Sequence, residues 1–515
     1  MLIDKINNIN KKLNSFSDSI LNIYGTSINT GGIPHWPNNI KDMNTSGGSS
    51  DVIFYDYDGT KLYSYTKTTF LKLRSLPQLP SHPGLICQGW NWNLEDAQAY
   101  VQRYGFLNVC TNYITDDGKT RLYIDLEDNN ATILLYFNQI TSGEVKINWG
   151  DGSNEEIING TEYVNISHIY TSMGSYVIAI EVLSGNYILG NINSNNIFYS
   201  NTDSALKRVE IGSGFEYIAD YAFQKCISLQ VITIPNSVTS IGQYAFSSCY
   251  SLKSVAIPNS VTSISRNTFT NCHSLQSIII PEGVTSIGYG AFQYCSSLRL
   301  ITIPEGVTSI EYGAFQYCSS LRSITIPEGV TSIGQNAFGY CYSLQSVIIP
   351  SSVTSINSNT FSYCYSLQSV IIPGNSKTIQ NNTFSYCSSL QSVIITEGVT
   401  KINNNVFISN TSLKSISIPE GVTSIGYDAF NQCTALQSII IPSTVTYIGG
   451  NAFRDCTGMQ LYDFSKCTQI PSLADTYAFD NINQNCKILV PTSLYNDWVN
   501  ATNWSTYANN IVVSI

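Results

Sequence analysis

Ten cysteines in register are the first residues in this chain whose type and spacing could carry chemistry. They stand at 226, 249, 272, 295, 318, 341, 364, 387, 433 and 456, all on one 23-residue step, with Asn410 filling the one gap. Thiols in such numbers can pair, ligate a metal or act as nucleophiles. If the repeat stacks, successive thiols lie about 5 Å apart at Cα, inside the disulfide range. Their Cα–Cβ vectors would then be parallel, which opposes pairing, so small, free, buried thiols are expected. Cys87, Cys110, Cys467 and Cys486 stand outside the series and show no metal-ligand spacing. The histidines (His35, His82, His168, His273) are scattered, without a nucleophile or ligand set around any of them. No glycine-rich phosphate loop is present. No cofactor or metal is expected.

Binding has a better candidate in the tyrosines. The residue before the ladder cysteine is tyrosine in five successive steps: Tyr294, Tyr317, Tyr340, Tyr363 and Tyr386. Stacking aligns them into a stripe roughly 20 Å long. Tyrosine offers a large contact area with a polar tip, which suits a protein or glycan partner. The alternative is that each ring only shields its own coil's edge. A second column, one residue after the ladder leucine, holds Gln, Lys or Arg (Gln230, Lys253, Gln276, Arg299, Arg322, Gln345, Gln368, Gln391, Lys414, Gln437) and reads as a solvated ladder.

The elements that must position these residues follow from the same period. Between Leu206 and Gly458 one 23-residue pattern is written eleven times, with phenylalanine at 223, 246 and every step on to 453. Leu-x-x-Ile/Val-x-Ile alternates at period two, so it is a short strand, and the proline that follows ends it. Val-x-x-Ile crosses back, and Ala-Phe-x-x-Cys supplies a second inward trio. No copy can bury this apolar set alone, so the copies stack on a shared core. At about 4.8 Å per coil, eleven coils make a rod of about 50 Å. The pattern resembles the leucine-rich repeats, specifically their BspA-like branch. That resemblance implies a curved solenoid with a parallel strand ladder on one face, used for binding and not for chemistry.

Two aspartate motifs precede the repeats. Asp56-Tyr-Asp58-Gly59-Thr60 resembles the Asp-x-Asp-Gly-Thr motif of haloacid-dehalogenase phosphatases, which implies Asp56 as nucleophile and Asp58 as acid/base. Gly150-Asp151-Gly152 resembles that family's later magnesium motif. The family needs a doubly wound sheet with several helices between the motifs, and this stretch offers one helix. Asp-Gly between strands is also a common hairpin turn, so a phosphatase is a remote alternative. Trp149-Gly-Asp-Gly152, His168-Ile-Tyr170 and Gly174-Ser-Tyr-Val-Ile are similar to the signature of the PKD domain. This implies an immunoglobulin-like β-sandwich over 121–190, a spacer or binding module of extracellular proteins. Asp151 is then a turn residue, and Trp149, His168 and Tyr170 are packing residues.

The chain has 515 residues, only 12% of them charged, a formal charge of −10 and a pI near 4.9. That balance argues against nucleic acid and anionic membranes, both of which need clustered Lys and Arg. The longest apolar runs, such as 131–137, are too short to span a bilayer. The start lacks an apolar signal core, so an extracellular place would need another route, such as delivery on a virion.

The expected layout is an amphipathic helix over 2–23 and a linker within 1–50, then a small α+β domain over 51–120. The latter has strands at 52–55 and 62–65, a helix over 94–104, and Trp90 and Trp92 as core residues or an aromatic platform. The PKD-like sandwich over 121–190, the solenoid over 191–458 with coils from 206, and a cap over 459–515 with a strand at 487–490 complete it. The fold class is mainly a β solenoid. The expected function is a non-enzymatic surface adhesin that binds a protein or glycan at a cell surface or outside the cell. The alternative is a phage tail or fibre component on a virion. The N-terminal helix is a possible homo-oligomer contact.

Overall fold

The computed structural model describes residues 52–55, 61–81, 85–90, 94, 97–98, 101–102, 107–115, 117–160, 163–190, 198–200 and 204–513. The helix expected over 2–23, the linker, Asp56, Asp58, Trp92 and the side chain of Trp90 lie outside them. The chain divides into two compact units, Met1–Gln78 with Trp92–Thr111, and Leu79–Asn91 with Asn112–Ile515.

In the first unit, strand Val52–Tyr55 pairs antiparallel with Lys61–Tyr65 and parallel with Leu107–Cys110. Alternation sends Val52 and Phe54 inward, where Phe54 meets Phe70 at 6.0 Å between ring centroids. Phe70 ends a short helix, Lys67–Phe70, capped by the Thr66 hydroxyl. Leu94, Ala97, Gln98, Val101 and Gln102 are helical, with Ala97 and Val101 buried. Gln98 Nε2 donates to the Phe70 and Leu73 carbonyls at 3.1 and 3.0 Å, tying the two helical stretches together.

The second unit begins with two facing sheets. In one, Thr120–Leu126 pairs with Gly174–Ser184, then Gly143–Asn148, then Glu156–Gly160, all antiparallel. In the other, Ala131–Gln139 pairs antiparallel with Tyr163–Tyr170, Tyr187–Leu189 and Phe198–Ser200. Inward residues such as Leu122, Ile133, Leu135, Ile147 and Ile178 are fully buried, as period-two alternation requires.

Both sheets continue directly into the coils. Leu206–Glu210 pairs antiparallel with Thr120–Leu126 on one side and parallel with Val231–Thr233 on the other. Tyr187–Leu189 pairs parallel with Phe215–Ile218, which pairs parallel with Ser240–Ile241. One core therefore runs without interruption from Leu122 to Ile511. Gly212, where other coils have proline, has a physical reason at this seam. A Cβ there would sit 2.0 Å from the Gly118 carbonyl oxygen, and its N–H donates to Thr120 Oγ1 at 2.8 Å.

Each later coil carries a short strand of the main ladder, such as Ser346–Ile348 or Ser369–Ile372, and a second two-residue rung such as Ser355–Ile356. Rungs pair in parallel at a constant offset of 23 residues, for example Ser369↔Ser392 and Ser332↔Ser355. Between them the phenylalanines stack face to face from Phe223 to Phe453, with centroids 5.2–5.9 Å apart. The solenoid does not stop at 458. Leu461–Asp463 and Lys487–Val490 extend the main ladder, Ser472–Leu473 extends the second, and Phe479 stacks on Phe453 at 5.4 Å. That step is 26 residues, which a search at a period of 23 passes over. Trp498, Trp504 and Tyr507 are buried at the end, with Trp504 against Phe464 and Phe479, both at 5.4 Å.

Candidate functional site

The ladder cysteines are buried and free of disulfides. Each thiol from Cys249 to Cys387 points at the carbonyl of the phenylalanine 26 residues earlier, as Cys318 Sγ does to Phe292 at 3.2 Å. Cys433 and Cys456 repeat the contact. Asn410 fills the same role with Nδ2, 3.1 Å from the Phe384 carbonyl. The thiols are thus core filling and also second donors to a backbone oxygen, which in most coils already accepts an amide of its own coil, as Phe292 does from Cys295 at 3.1 Å. Burial pushes the Cys341 and Cys387 thiols up to about 12, so neither presents a thiolate. Among the described residues no group of three or more His, Cys, Asp or Glu side chains could hold a metal ion.

Asp151 sits in the turn after Gly143–Asn148. Its Oδ1 accepts the Ser153 amide at 3.0 Å, and its Oδ2 lies 2.7 Å from His168 Nε2. Trp149, fully buried, stacks on His168 at 4.7 Å, and the Tyr170 hydroxyl donates to the Trp149 carbonyl at 2.7 Å. Burial alone would raise the Asp151 carboxyl, but the Ser153 and His168 hydrogen bonds outweigh it and hold the group at about 2. Every partner in this cluster is engaged in holding the turn.

The five stripe tyrosines come together. Their rings stack in one column, with centroid distances of 4.5, 4.3, 4.6 and 4.6 Å and planes within 11°. All five have a left-handed backbone, φ between 59° and 63°. Every coil bends twice in this way, two residues before and two residues after the spine phenylalanine. At the first bend most coils use residues suited to it, such as Asn336, Asn359, Asn382 and Asn405, while the first two coils have Tyr221 and Tyr244 there, stacked at 4.9 Å. At the second bend Ser248, Asn271 and Ser409 serve in flanking coils, so the fold does not require tyrosine there. A left-handed tyrosine costs about 1–2 kcal/mol, and each stacked pair returns about 0.5–1.5 kcal/mol. Five left-handed residues are only partly offset by four stacked pairs, so ring stacking alone does not account for tyrosine at this bend.

Stacking also decides what that surface offers. The ring faces cover one another, so edges and hydroxyls point outward. Burial and the neighbouring Tyr340 and Tyr294 raise the Tyr317 hydroxyl to about 12, keeping it neutral at physiological pH.

The sequence reading did not single out a second pair, Tyr342 and Tyr365. These stack on each other at 5.3 Å and meet Tyr340 and Tyr363 edge-on at 6.2 and 6.1 Å. They stand one residue after the ladder cysteine, where only two neighbouring coils have tyrosine, too short a run to stand out. On the coil of Tyr365 and the second coil beyond it, the main strand turns Ile348 and Ile394 to solvent, 61% and 38% exposed. Period-two alternation marks that position as outward, so an isoleucine there was the available signal. The Gln345, Gln368 and Gln391 column lies between tyrosines and isoleucines, its amides extending the parallel backbone ladder.

No helix among the described residues is long and apolar enough to cross a membrane. Residues 191–322, 308–415 and 401–502 match the family described as "BspA type Leucine rich repeat region". Among solved structures, the chain is similar to a leucine-rich repeat protein from Bacteroides ovatus, with 25% identity and a TM-score of 0.42 over 62% of this chain and 98% of that one. It is also similar to a leucine rich cell surface protein from Faecalibacterium prausnitzii, with 30% identity and a TM-score of 0.37 over 56% and 81%. A third likeness is a leucine-rich repeat protein from Eubacterium ventriosum, at 22% identity and a TM-score of 0.38 over 54% and 82%. No curated protein matches.

Proposed function

Because the chain belongs to the BspA-type leucine-rich repeat family, we propose that it is a non-enzymatic binding protein, an adhesin displayed at a cell surface, whose solenoid engages a protein or glycan partner. The observation that carries this reading is the column of five stacked, left-handed tyrosines from Tyr294 to Tyr386. A residue type that the bend disfavours, held in five successive coils where serine and asparagine serve elsewhere, is best explained by what it presents outward. We assign residues 121–190 to the PKD type, with Trp149, Asp151, His168 and Tyr170 as its packing and turn residues, and give it the role of carrying the solenoid.

The test uses the full chain, because the first coil shares its strands with the preceding sheets. Wild type is probed on arrays of extracellular-matrix proteins and glycans beside a variant with all five stripe tyrosines changed to Asn. The reading expects the best hit to weaken at least about tenfold, the loss of roughly 1.4 kcal/mol, with the unfolding midpoint little changed. A hit that survives unaltered in a folded variant removes the stripe from the binding surface.

A further inference from the structure

The binding reading leaves open whether the partner is protein or glycan, and the face around Tyr340 and Tyr363 bears on that choice. In a chain of net charge −10, residues 329–396 contain one charged side chain, Lys377. Lys377 precedes the second-ladder rung Thr378–Ile379 and so lies away from the main strands. The main-strand column turns charged again on either side, at Arg322 and at Lys414. Between those limits, successive stripes across the coils present tyrosine edges, glutamine, serine and isoleucine. Ile348 and Ile394 are exposed, Ile371 half-buried between them, and Tyr342 and Tyr365 are 38% and 43% exposed.

Resting on that binding reading, we propose that this uncharged face docks a protein through a neutral patch of aliphatic and aromatic side chains. Three observations select that partner. First, a charged group brought against the face would lose hydration and find no counter-ion, which costs several kcal/mol. Second, a sugar ring packs against an open aromatic face, but here each interior ring of the column is covered on both sides by neighbours at 4.3–4.6 Å. Third, exposed isoleucines gain about 25 cal/mol per Å² only when apolar surface covers them, and the hydroxyl-rich surface of a neutral glycan supplies little. Apolar area rimmed by tyrosine is the composition of a protein contact.

The experiment pans the full chain against short random peptides displayed on phage, and in parallel against a set of neutral polysaccharides. The expected peptides are rich in Leu, Ile, Phe and Trp and carry little net charge. Their affinity should fall at least about tenfold in Ile348→Thr and in Ile394→Thr. Threonine already stands at this position in Thr302 and Thr325, so both variants keep the fold. Affinity should also be nearly independent of salt, because no exposed ion pair contributes. Charged consensus peptides, insensitivity to both isoleucine variants, or no selected peptide would each overturn the proposal. A neutral polysaccharide that binds and is lost on tyrosine replacement overturns the protein assignment while leaving the tyrosine stripe in place. Peptides lost with the isoleucines but kept in the tyrosine variant support the protein assignment and remove the stripe.

Discussion

Asn410 shows how a single position is judged in this core. Its Nδ2 reproduces the hydrogen bond that the ladder cysteines make, but its Oδ1 is buried without a partner. An orphaned buried acceptor costs about 1–3 kcal/mol. Asn410→Cys keeps the donor and removes the orphan, so it is expected to stabilise the solenoid by about 1 kcal/mol, read as a higher denaturant midpoint. In the opposite direction, Cys318→Ala should cost about 1–2 kcal/mol, since the Phe292 carbonyl loses the second of its two donors, keeping the Cys295 amide, and a small void opens. A midpoint unchanged by Cys318→Ala would show that the thiols only fill space. Asp151 gives a pH signature. Its folded-state carboxyl stands at about 2, below its ordinary value of 3.8. The stability it supplies is complete above about pH 4 and is lost as pH falls from there toward 2. Asp151→Asn should flatten the acid limb of stability in that window, as followed by the denaturant midpoint of the two proteins between about pH 2 and pH 5.

At the scale of elements, the seam between the two preceding sheets and the first coil is the place where repeat logic and tertiary structure disagree. By the repeat pattern, Gly212→Pro restores the residue found in most other coils and should be harmless. In the fold it removes the N–H bonded to Thr120 and drives a ring into the Gly118–Lys119 backbone. A loss of about 3 kcal/mol or more is expected, against about 1 kcal/mol for Thr396→Ala, which loses its hydroxyl bond to the Ile372 carbonyl but keeps its N–H bond there. Equal midpoints for Gly212→Pro and wild type would mean the seam is not packed as described. The proline column explains the shortness of the strands as well, because each proline ends the ladder by removing a donor.

For the whole second unit, one uninterrupted core predicts that the coils and the sheets before them protect each other. A chain cut to 206–515 loses the partners of Leu206–Glu210 and Phe215–Ile218. Hydrogen exchange in the cut chain should therefore rise by orders of magnitude at the first two coils and stay unchanged in the coils beyond Phe338, since each coil contacts only its neighbours. Uniform protection across 206–515 would show the solenoid to be self-sufficient. The proposed binding surface begins at Tyr294, beyond the first two coils, so fraying there leaves the tyrosine column intact.

How much could be read before folding differs by feature. The period placed every phenylalanine, ladder cysteine and stripe tyrosine, because a 23-residue step repeated in register admits only stacked coils, and stacking aligns like positions. It missed the 26-residue step to Phe479, where an insertion shifts the register but a ring still stacks. Alternation marked strands at 52–55 and 487–490, since period-two burial is local. The left-handed backbone of the tyrosines, the covering of their faces by one another and the thiol bonds to the preceding coil arise between residues about 23 positions apart. Local residue preference carries no record of such contacts. The sequence by itself determined the repeat and the columns it creates. The tertiary structure decided that one core joins the preceding sheets to the solenoid and that the tyrosine column presents edges instead of faces, because both depend on which surfaces meet once the coils stack.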